Sequence, residues 1–260
     1  MSCATVTSSM FGSMSETAVI TRERRVALLI DTPLPGEENM RRDLALLDAC
    51  ARGEIPGAVR LYGFAPACLS LGRMQPMSDV DLEACERDGV DVVRRPSGGR
   101  AVLHDQEVTY CVVCRSSDPI FGGRVLESCA RIHDAIASGL EMLGVRTTPR
   151  SMPADLRRDA REGAAVADCF ARPAAHELLD AQGRKLVGSA QARRAGALLQ
   201  HGSVLLEPPR AAGYLHGEAI ASVGGVGVRE ILGRHVSRDA LVEALAAGFT
   251  RALATVETAH

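Results

Sequence analysis

Lysine occurs once in this chain. Of the 30 lysine and arginine residues, 29 are arginine, and the exception is Lys185 in GRKLVGSAQ. A guanidinium cannot copy a compact ammonium whose pKa can fall far enough to exchange a proton, so a lysine kept where arginine prevails is a candidate for chemistry. Chance survival of one lysine is the bland alternative, but it does not explain why that lysine falls in the most motif-like segment. Earlier in the chain, RRPSGGRAVLHD sets Gly98 and Gly99 between arginines, an arrangement that lets a backbone approach a ligand closely with cations nearby. A tight turn would use the same residues. The spacing is neither GxGxxG nor GxxxxGKS, so neither a dinucleotide fold nor a phosphate-cradling loop is supported. His104 in LHD and His201 in QHGS are the remaining polar candidates, either catalytic or, as is commoner, hydrogen-bonded organisers of their loops. Eight cysteines are scattered along the chain. Cys111 and Cys114 in VTYCVVC stand three apart on a strand-like stretch and should point to opposite faces. With no second CxxC and no HxxxH beside them, they are expected in the sheet core rather than around a metal.

Periodicity indicates the elements that must position these groups. A strand is predicted from Arg25 to Asp31, then a turn through Pro33 and Pro35 and a helix with Met40, Leu44, Leu47 and Ala51 on one face. Strands are predicted around Val59 to Phe64 and Cys68 to Leu71, a polar helix near Val80 to Asp88, and a strand from Val90 to Arg94 that leads into PSGGR. A strand from Val108 to Cys114 follows. Between Gly123 and Gly144, Val125, Cys129, Ile132, Ile136, Leu140 and Leu143 mark a long amphipathic helix. Periodicity is lost from Thr147 to Ala167, as expected of a long exposed loop of the kind that carries function, with Cys169 at its end. HELLDAQGRKLVGSAQARRAGALLQHGSVLLE then reads as three strands joined by turns at Gln182-Gly183 and Ala195-Gly196, with Lys185 on the middle strand. A last helix starts after Ser237, a suitable N-cap, and runs through Leu241, Leu245, Phe249 and Leu253. This irregular interleaving predicts an α+β fold with a mainly antiparallel sheet flanked by helices.

Composition sets the outer bounds. At 260 residues and 46% hydrophobic content, the chain can bury a sizeable core and is expected to be one domain over residues 25–260, with 1–24 a disordered tail. A formal charge of -2 argues against a nucleic-acid partner. The Ser- and Thr-rich start holds no apolar run fit for a signal peptide, and no segment is long and apolar enough to span a membrane, so a cytoplasmic protein without a disulfide framework is expected.

The two glycine-bearing motifs taken together resemble the lipoate-protein ligase and octanoyltransferase superfamily, whose catalytic domain is related to biotin-protein ligases and class II aminoacyl-tRNA synthetases. The resemblance runs from about Ile30 to Leu253, through ENM, PACLSLGRMQ, RRPSGGRAVLHDQEVTY, GRKLVGSAQARRAGALLQHGS and GVREILGRHVS. Within it the chain is most similar to LipM-type octanoyltransferases, which place a cysteine in a DCF-like context before the GRK strand, here Asp168, Cys169 and Phe170. Arg100, where ATP-dependent ligases usually carry another glycine, points the same way. MRRD at Met40 to Asp43 departs from the small apolar residues usual there, which leaves the local helix surface open.

The resemblance implies that Cys169 is the acyl-thioester nucleophile and that Lys185 tunes it. A nearby ammonium would raise the thiolate fraction of a thiol whose ordinary pKa is about 8.5. Arg95, Ser97, Gly98, Gly99, His104, Gly188, Ser189 and His201 are implied as the substrate-binding surround, the glycines and Ser189 as backbone walls or donors at the thioester carbonyl. It also implies octanoyl-acyl-carrier protein as donor and a lipoyl domain as acceptor, such as glycine cleavage H protein or a 2-oxoacid dehydrogenase E2, with no cofactor, ATP or metal. The rival readings are an ATP-dependent lipoate-protein ligase, an octanoyl amidotransferase between carrier domains and a non-catalytic carrier-binding protein.

Overall fold

The computed structural model describes residues 19–20, 26–149, 178–216 and 225–254. In chain order the elements are β1 (Val19–Ile20), β2 (Ala27–Ile30), α1 (Gly36–Arg52), β3 (Gly57–Tyr62), β4 (Cys68–Leu71), α2 (Leu82–Asp88), β5 (Asp91–Arg94), β6 (Val102–His104) and β7 (Glu107–Arg115). Then come α3 (Val125–Met142), β8 (Thr148–Pro149), β9 (Leu178–Leu179), β10 (Lys185–Arg194), β11 (Ala197–Leu205), α4 (Val228–Leu232) and α5 (Arg238–Ala254). Eight strands form one sheet in the order β1-β2-β3-β7-β11-β10-β9-β8, and β5-β4-β6 form a second. All neighbours are antiparallel except β2–β3 and β4–β5. The fold is therefore α+β with a mixed, mainly antiparallel sheet flanked by helices, as the interleaving of elements predicted.

Alternation along β7 and β11 sorts the two faces of the large sheet. Val108, Tyr110, Val112 and Cys114 on β7, with Leu198 and Val204 on β11, pack on Ile132, Ile136 and Leu140 of α3 and Leu241, Leu245 and Phe249 of α5. The opposite face puts Cys111, Val113 and Leu199 against Leu47 and Cys50 of α1. Cys111 and Cys114 thus lie in different cores, and burial pushes both thiols above their ordinary range. Thr109, His201 and Ser203 alternate in phase with Cys111 and Leu199, which carries them to the α1 face near the small sheet.

Turns and caps follow the local sequence. Asp81 caps α2 by accepting the Ala84 N–H at 2.9 Å, and Ser237 caps α5 by accepting that of Ala240 at 3.1 Å. The β10–β11 hairpin turns on Ala195 and Gly196 with φ of 46° and 77°, both in the left-handed region that a two-residue turn of matching twist needs. Two expectations shift. Val19–Ile20, assigned above to a disordered tail, pairs antiparallel with β2 and forms the edge of the large sheet. Thr148–Pro149, assigned to a loop, forms the edge strand β8 against β9, where a proline is tolerated. Residues 150–167 of the expected loop and the rest of the tail lie outside the described residues. Among those residues no helix is long and apolar enough to cross a membrane.

Candidate active site

The site forms where the β5–β6 loop meets the middle of β10 and β11. That loop carries RPSGGR, and Arg95 clamps it. The guanidinium donates through Nη1 to the Ser70 carbonyl at 2.8 Å and its hydroxyl at 3.1 Å, through Nη2 to the Gly98 carbonyl at 2.8 Å and the Arg100 carbonyl at 2.5 Å, and through Nε to Gly98 at 3.2 Å. These contacts engage all three guanidinium nitrogens, so Arg95 shapes the loop at least as much as it lines the site. Gly72 on the β4 side must be glycine, since an added Cβ would overlap the Gly99 carbonyl oxygen.

Two histidines face this loop. His201 on β11 is held by the Asp43 carboxylate at 3.0 Å from Nδ1 and meets the Ser97 hydroxyl at 2.5 Å from Nε2. Asp43, fully buried on α1, also receives the Tyr62 hydroxyl at 2.8 Å and Arg60 Nη1 at 2.8 Å. Arg60 reaches on to Asp31 at 2.7 Å and to the Asn39 amide oxygen at 2.6 Å. Burial by itself would raise the Asp43 carboxyl, but His201, Arg60 and Tyr62 together hold it below the ordinary range. Burial pushes His201 below the ordinary imidazole value despite the opposing pull of Asp43. The pair is therefore a carboxylate and a neutral imidazole. His104 stacks on Phe64 with ring centroids 4.2 Å apart, and its Nε2 lies 2.8 Å from the Ser70 hydroxyl. Its Nδ1 faces Ser203 at 3.2 Å and Glu107 at 3.5 Å.

Arg95, His104, Gly188, Ser189 and His201 line one cavity of about 30 Å³, with Tyr62, Ser70, Thr109 and Ser203 among the other walls. That is room for about one or two waters. Ser189 is turned toward the α3 face, where its hydroxyl meets Tyr110 at 2.5 Å and His133 at 2.6 Å, so at the cavity it contributes mainly backbone. Lys185 is buried at the start of β10, three residues before Gly188, and its carbonyl accepts the Val226 N–H at 2.9 Å. Cys169 lies outside the described residues. Cys68, in PACLSLG, is fully buried, and burial raises its thiol. Among the described residues no group of His, Cys, Asp and Glu is arranged to hold a metal ion.

A family model described as the lipoyl protein ligase A/B catalytic domain matches residues 35–250. The chain belongs to this family. An octanoyltransferase LipM from Kyrpidia tusciae is 40% identical over 83% of this chain and 82% of its own length. Another from Symbiobacterium thermophilum is 39% identical over 86% and 85%. Among solved structures, lipoate-protein ligase A bound with ATP aligns with a TM-score of 0.65 at 23% identity, covering 87% of this chain and 84% of that one. The bipartite ligase from Thermoplasma acidophilum, solved as part of an archaeal lipoylation system with its E2 lipoyl domain, aligns at 0.63 and 22%, covering 86% and 84%. These two structural likenesses establish the fold.

The two motifs meet in space at the Ser97–His201 hydrogen bond and across the cavity that Arg95 and Gly188 both line, whereas Gly98 and Gly99 contact Arg95 and Gly72 within the loop's own neighbourhood. Sequence reasoning missed the layer behind them. Asp43 belongs to the MRRD departure, which bears on the interior rather than on the helix surface: Asp43 is the acceptor for His201, and Arg42 bonds Asp31 at 2.9 Å. An arginine at position 60 inside the apolar run of β3 was the one available signal, since a charge there needs buried partners.

Proposed function

We propose that this chain transfers an octanoyl group from an acyl-carrier protein, through a thioester on Cys169, to a lysine of a lipoyl domain. The observation that carries the reading is the roughly 40% identity to octanoyltransferases LipM along more than four-fifths of both chains. In the first step the Cys169 thiolate attacks the donor thioester carbonyl, the acyl carbon changes sulfur, and the phosphopantetheine thiolate departs and takes up a proton. In the second step the acceptor lysine nitrogen attacks, the acyl carbon–sulfur bond breaks, and an amide remains. The first step exchanges one thioester for another and the second is downhill, so neither needs ATP.

Lys185 supplies a compact ammonium that favours the thiolate and can give a proton to the departing thiol. Gly98, Gly99, Gly188 and Ser189 supply backbone at the carbonyl where negative charge develops. H protein and the E2 subunits of 2-oxoacid dehydrogenases are the expected acceptors, in the cytoplasm. The test is intact mass after incubation with octanoyl-acyl-carrier protein. One octanoyl adduct, labile to hydroxylamine and absent from Cys169→Ala, is expected. Transfer by Cys169→Ala at near wild-type rate, or labelling only with free octanoate and Mg-ATP, would overturn the reading.

A further inference from the structure

Residues 71–77 and 92–101, LGRMQPM and VVRRPSGGRA, hold four arginines and no carboxylate, a local excess on a chain whose formal charge is -2. Hydrogen bonds fasten the two segments into one body. Arg94 Nη1 donates to the carbonyls of Gly72 at 2.8 Å, Arg73 at 3.2 Å and Gln75 at 2.6 Å. The Arg73 N–H donates to the Ser97 carbonyl at 2.8 Å, and the Arg95 N–H to that of Leu71 at 3.0 Å. The next carboxylate along the turn, Asp79, accepts from Gln75 Nε2 at 3.1 Å rather than from an arginine. Arg73, Gly98 and Gly99 are exposed, and among the described residues Arg73 has no ion-pair partner. Beside it, Met74 is 84% exposed, more than any other large apolar side chain among the described residues, and Met77 follows at 43%. A turn held by its backbone needs no methionine in water. Flexible, polarisable methionines recur on surfaces that receive a partner, and apolar patches with a polar rim mark such surfaces.

We propose that this turn, together with the exposed edge of the SGGR loop, is the docking surface for the donor carrier protein, an inference that rests on the acyl-transfer reading above. Charge selects the donor over the acceptor. A carrier protein holds its phosphopantetheine arm through a phosphodiester, which stays anionic at every working pH, so a basic surface without carboxylates attracts it. The acceptor presents a lysine that arrives as an ammonium, and the same surface repels that. Arg73, exposed and uncompensated, is placed to steer the encounter. Met74 and Met77 supply the apolar contact that the partner covers. Because Arg94 and the Arg73 N–H already fix the backbone, little order is lost when the partner seats. Arg95, which clamps the SGGR loop, also lines the cavity of the candidate site, so a partner seated on this face abuts that site.

The experiment measures binding of fluorescently labelled holo-acyl-carrier protein by anisotropy, with an apo lipoyl domain as the comparison. Both altered side chains are exposed, so the variants should unfold at the wild-type temperature. Arg73→Glu should weaken carrier binding on the order of tenfold at low salt, and the difference should close at about 1 M salt, where the Debye length is about 3 Å. Met74→Ser should weaken it on the order of fivefold at both salt concentrations, because apolar contact is not screened. Neither change should weaken binding of the lipoyl domain, nor slow loading of the enzyme from octanoyl-pantetheine, a donor with neither the phosphate nor the protein. Wild-type affinity for the carrier protein in both variants would overturn the docking surface. So would a loss shared equally by the lipoyl domain or confined to it, or slow loading from the small donor, which would move these residues into the site itself. A wild-type enzyme that binds the carrier protein but never takes up octanoyl from any donor would instead sink the acyl-transfer reading.

Discussion

Asp43→Asn changes one atom of a buried side chain that ties three others together near the site. Its Oδ1 accepts from Arg60 at 2.8 Å, and its Oδ2 accepts from Tyr62 at 2.8 Å and His201 at 3.0 Å. An amide of the same shape has one accepting oxygen and one NH₂ group. With the oxygen in the place of Oδ2, the NH₂ confronts the Arg60 guanidinium; turned over, it strands Tyr62 and His201. Each stranded buried donor costs about 1–3 kcal/mol. Removing one partner of a buried ion pair costs about 3–5 kcal/mol, and because Asp31 still holds Arg60 we expect the lower end, about 3 kcal/mol. For a chain of this length that is a fall in Tm of about 6–12 °C. Urea unfolding should show a lower midpoint at unchanged slope. Asp48→Asn is the control, because its partner Arg194 is exposed and such surface pairs contribute at most about 1 kcal/mol. A loss for Asp43→Asn no larger than that of the control would show that Asp31 and Asn39 alone satisfy Arg60, and that the cluster does not act as a unit.

Lys185→Arg should lower the single-turnover rate of acyl-enzyme formation on the order of a hundredfold, because a planar guanidinium cannot take the place of a buried ammonium or release its proton; wild-type rates would make Lys185 a structural survivor. Gly72→Ala should slow the same step without unfolding the protein, since the new methyl must displace the Gly99 carbonyl and the loop with it; unchanged kinetics would mean that the loop's placement is not used. Ala195→Asn should raise stability by about 0.5–1 kcal/mol in thermal or urea unfolding, because Ala195 sits at a φ of 46° that asparagine tolerates better. Stability should fall as pH drops below about 6.5, where the unfolded chain binds a proton that the depressed His201 of the folded chain refuses, until the folded imidazole itself titrates. That slope, at most about 1.4 kcal/mol per pH unit, should be missing from His201→Gln.

The features that the sequence revealed, in the fold and around the candidate site, are those whose reasons are local. A glycine pair after a strand, a hairpin turn at Ala195-Gly196, a serine before the last helix and a lysine alone among arginines each announce themselves within a few residues. Even the separation of Cys111 from Cys114 follows from the two-residue period of a strand, and it put them in different cores without any knowledge of what packs there. Edge strands were the local failure. Val19–Ile20 and Thr148–Pro149 are too short to show a period, and only the sheet they border makes them strands.

The layer behind the site was hidden for a different reason. His201 and Asp43 are 158 positions apart, Ser97 and His201 are 104 apart, and Arg60 reaches Asp31 across 29. No window on the chain contains any of these pairs. Asp43 looked like surface because MRRD on an amphipathic helix normally is surface, and charged residues are rarely fully buried unless paired. What reverses that reading is Arg60, a charge within a six-residue strand that is buried along its whole length. Such a strand is viable only if something opposite neutralises the guanidinium, and Asp31 and Asp43 are what the fold brings there. Asp43, which accepts from Arg60 and Tyr62 and offers only lone pairs, then determines which nitrogen of His201 carries a proton, and His201 determines where the Ser97 hydroxyl points. The departure at MRRD and the arginine in β3 are thus two ends of one arrangement, and it reaches the SGGR loop through hydrogen bonds alone.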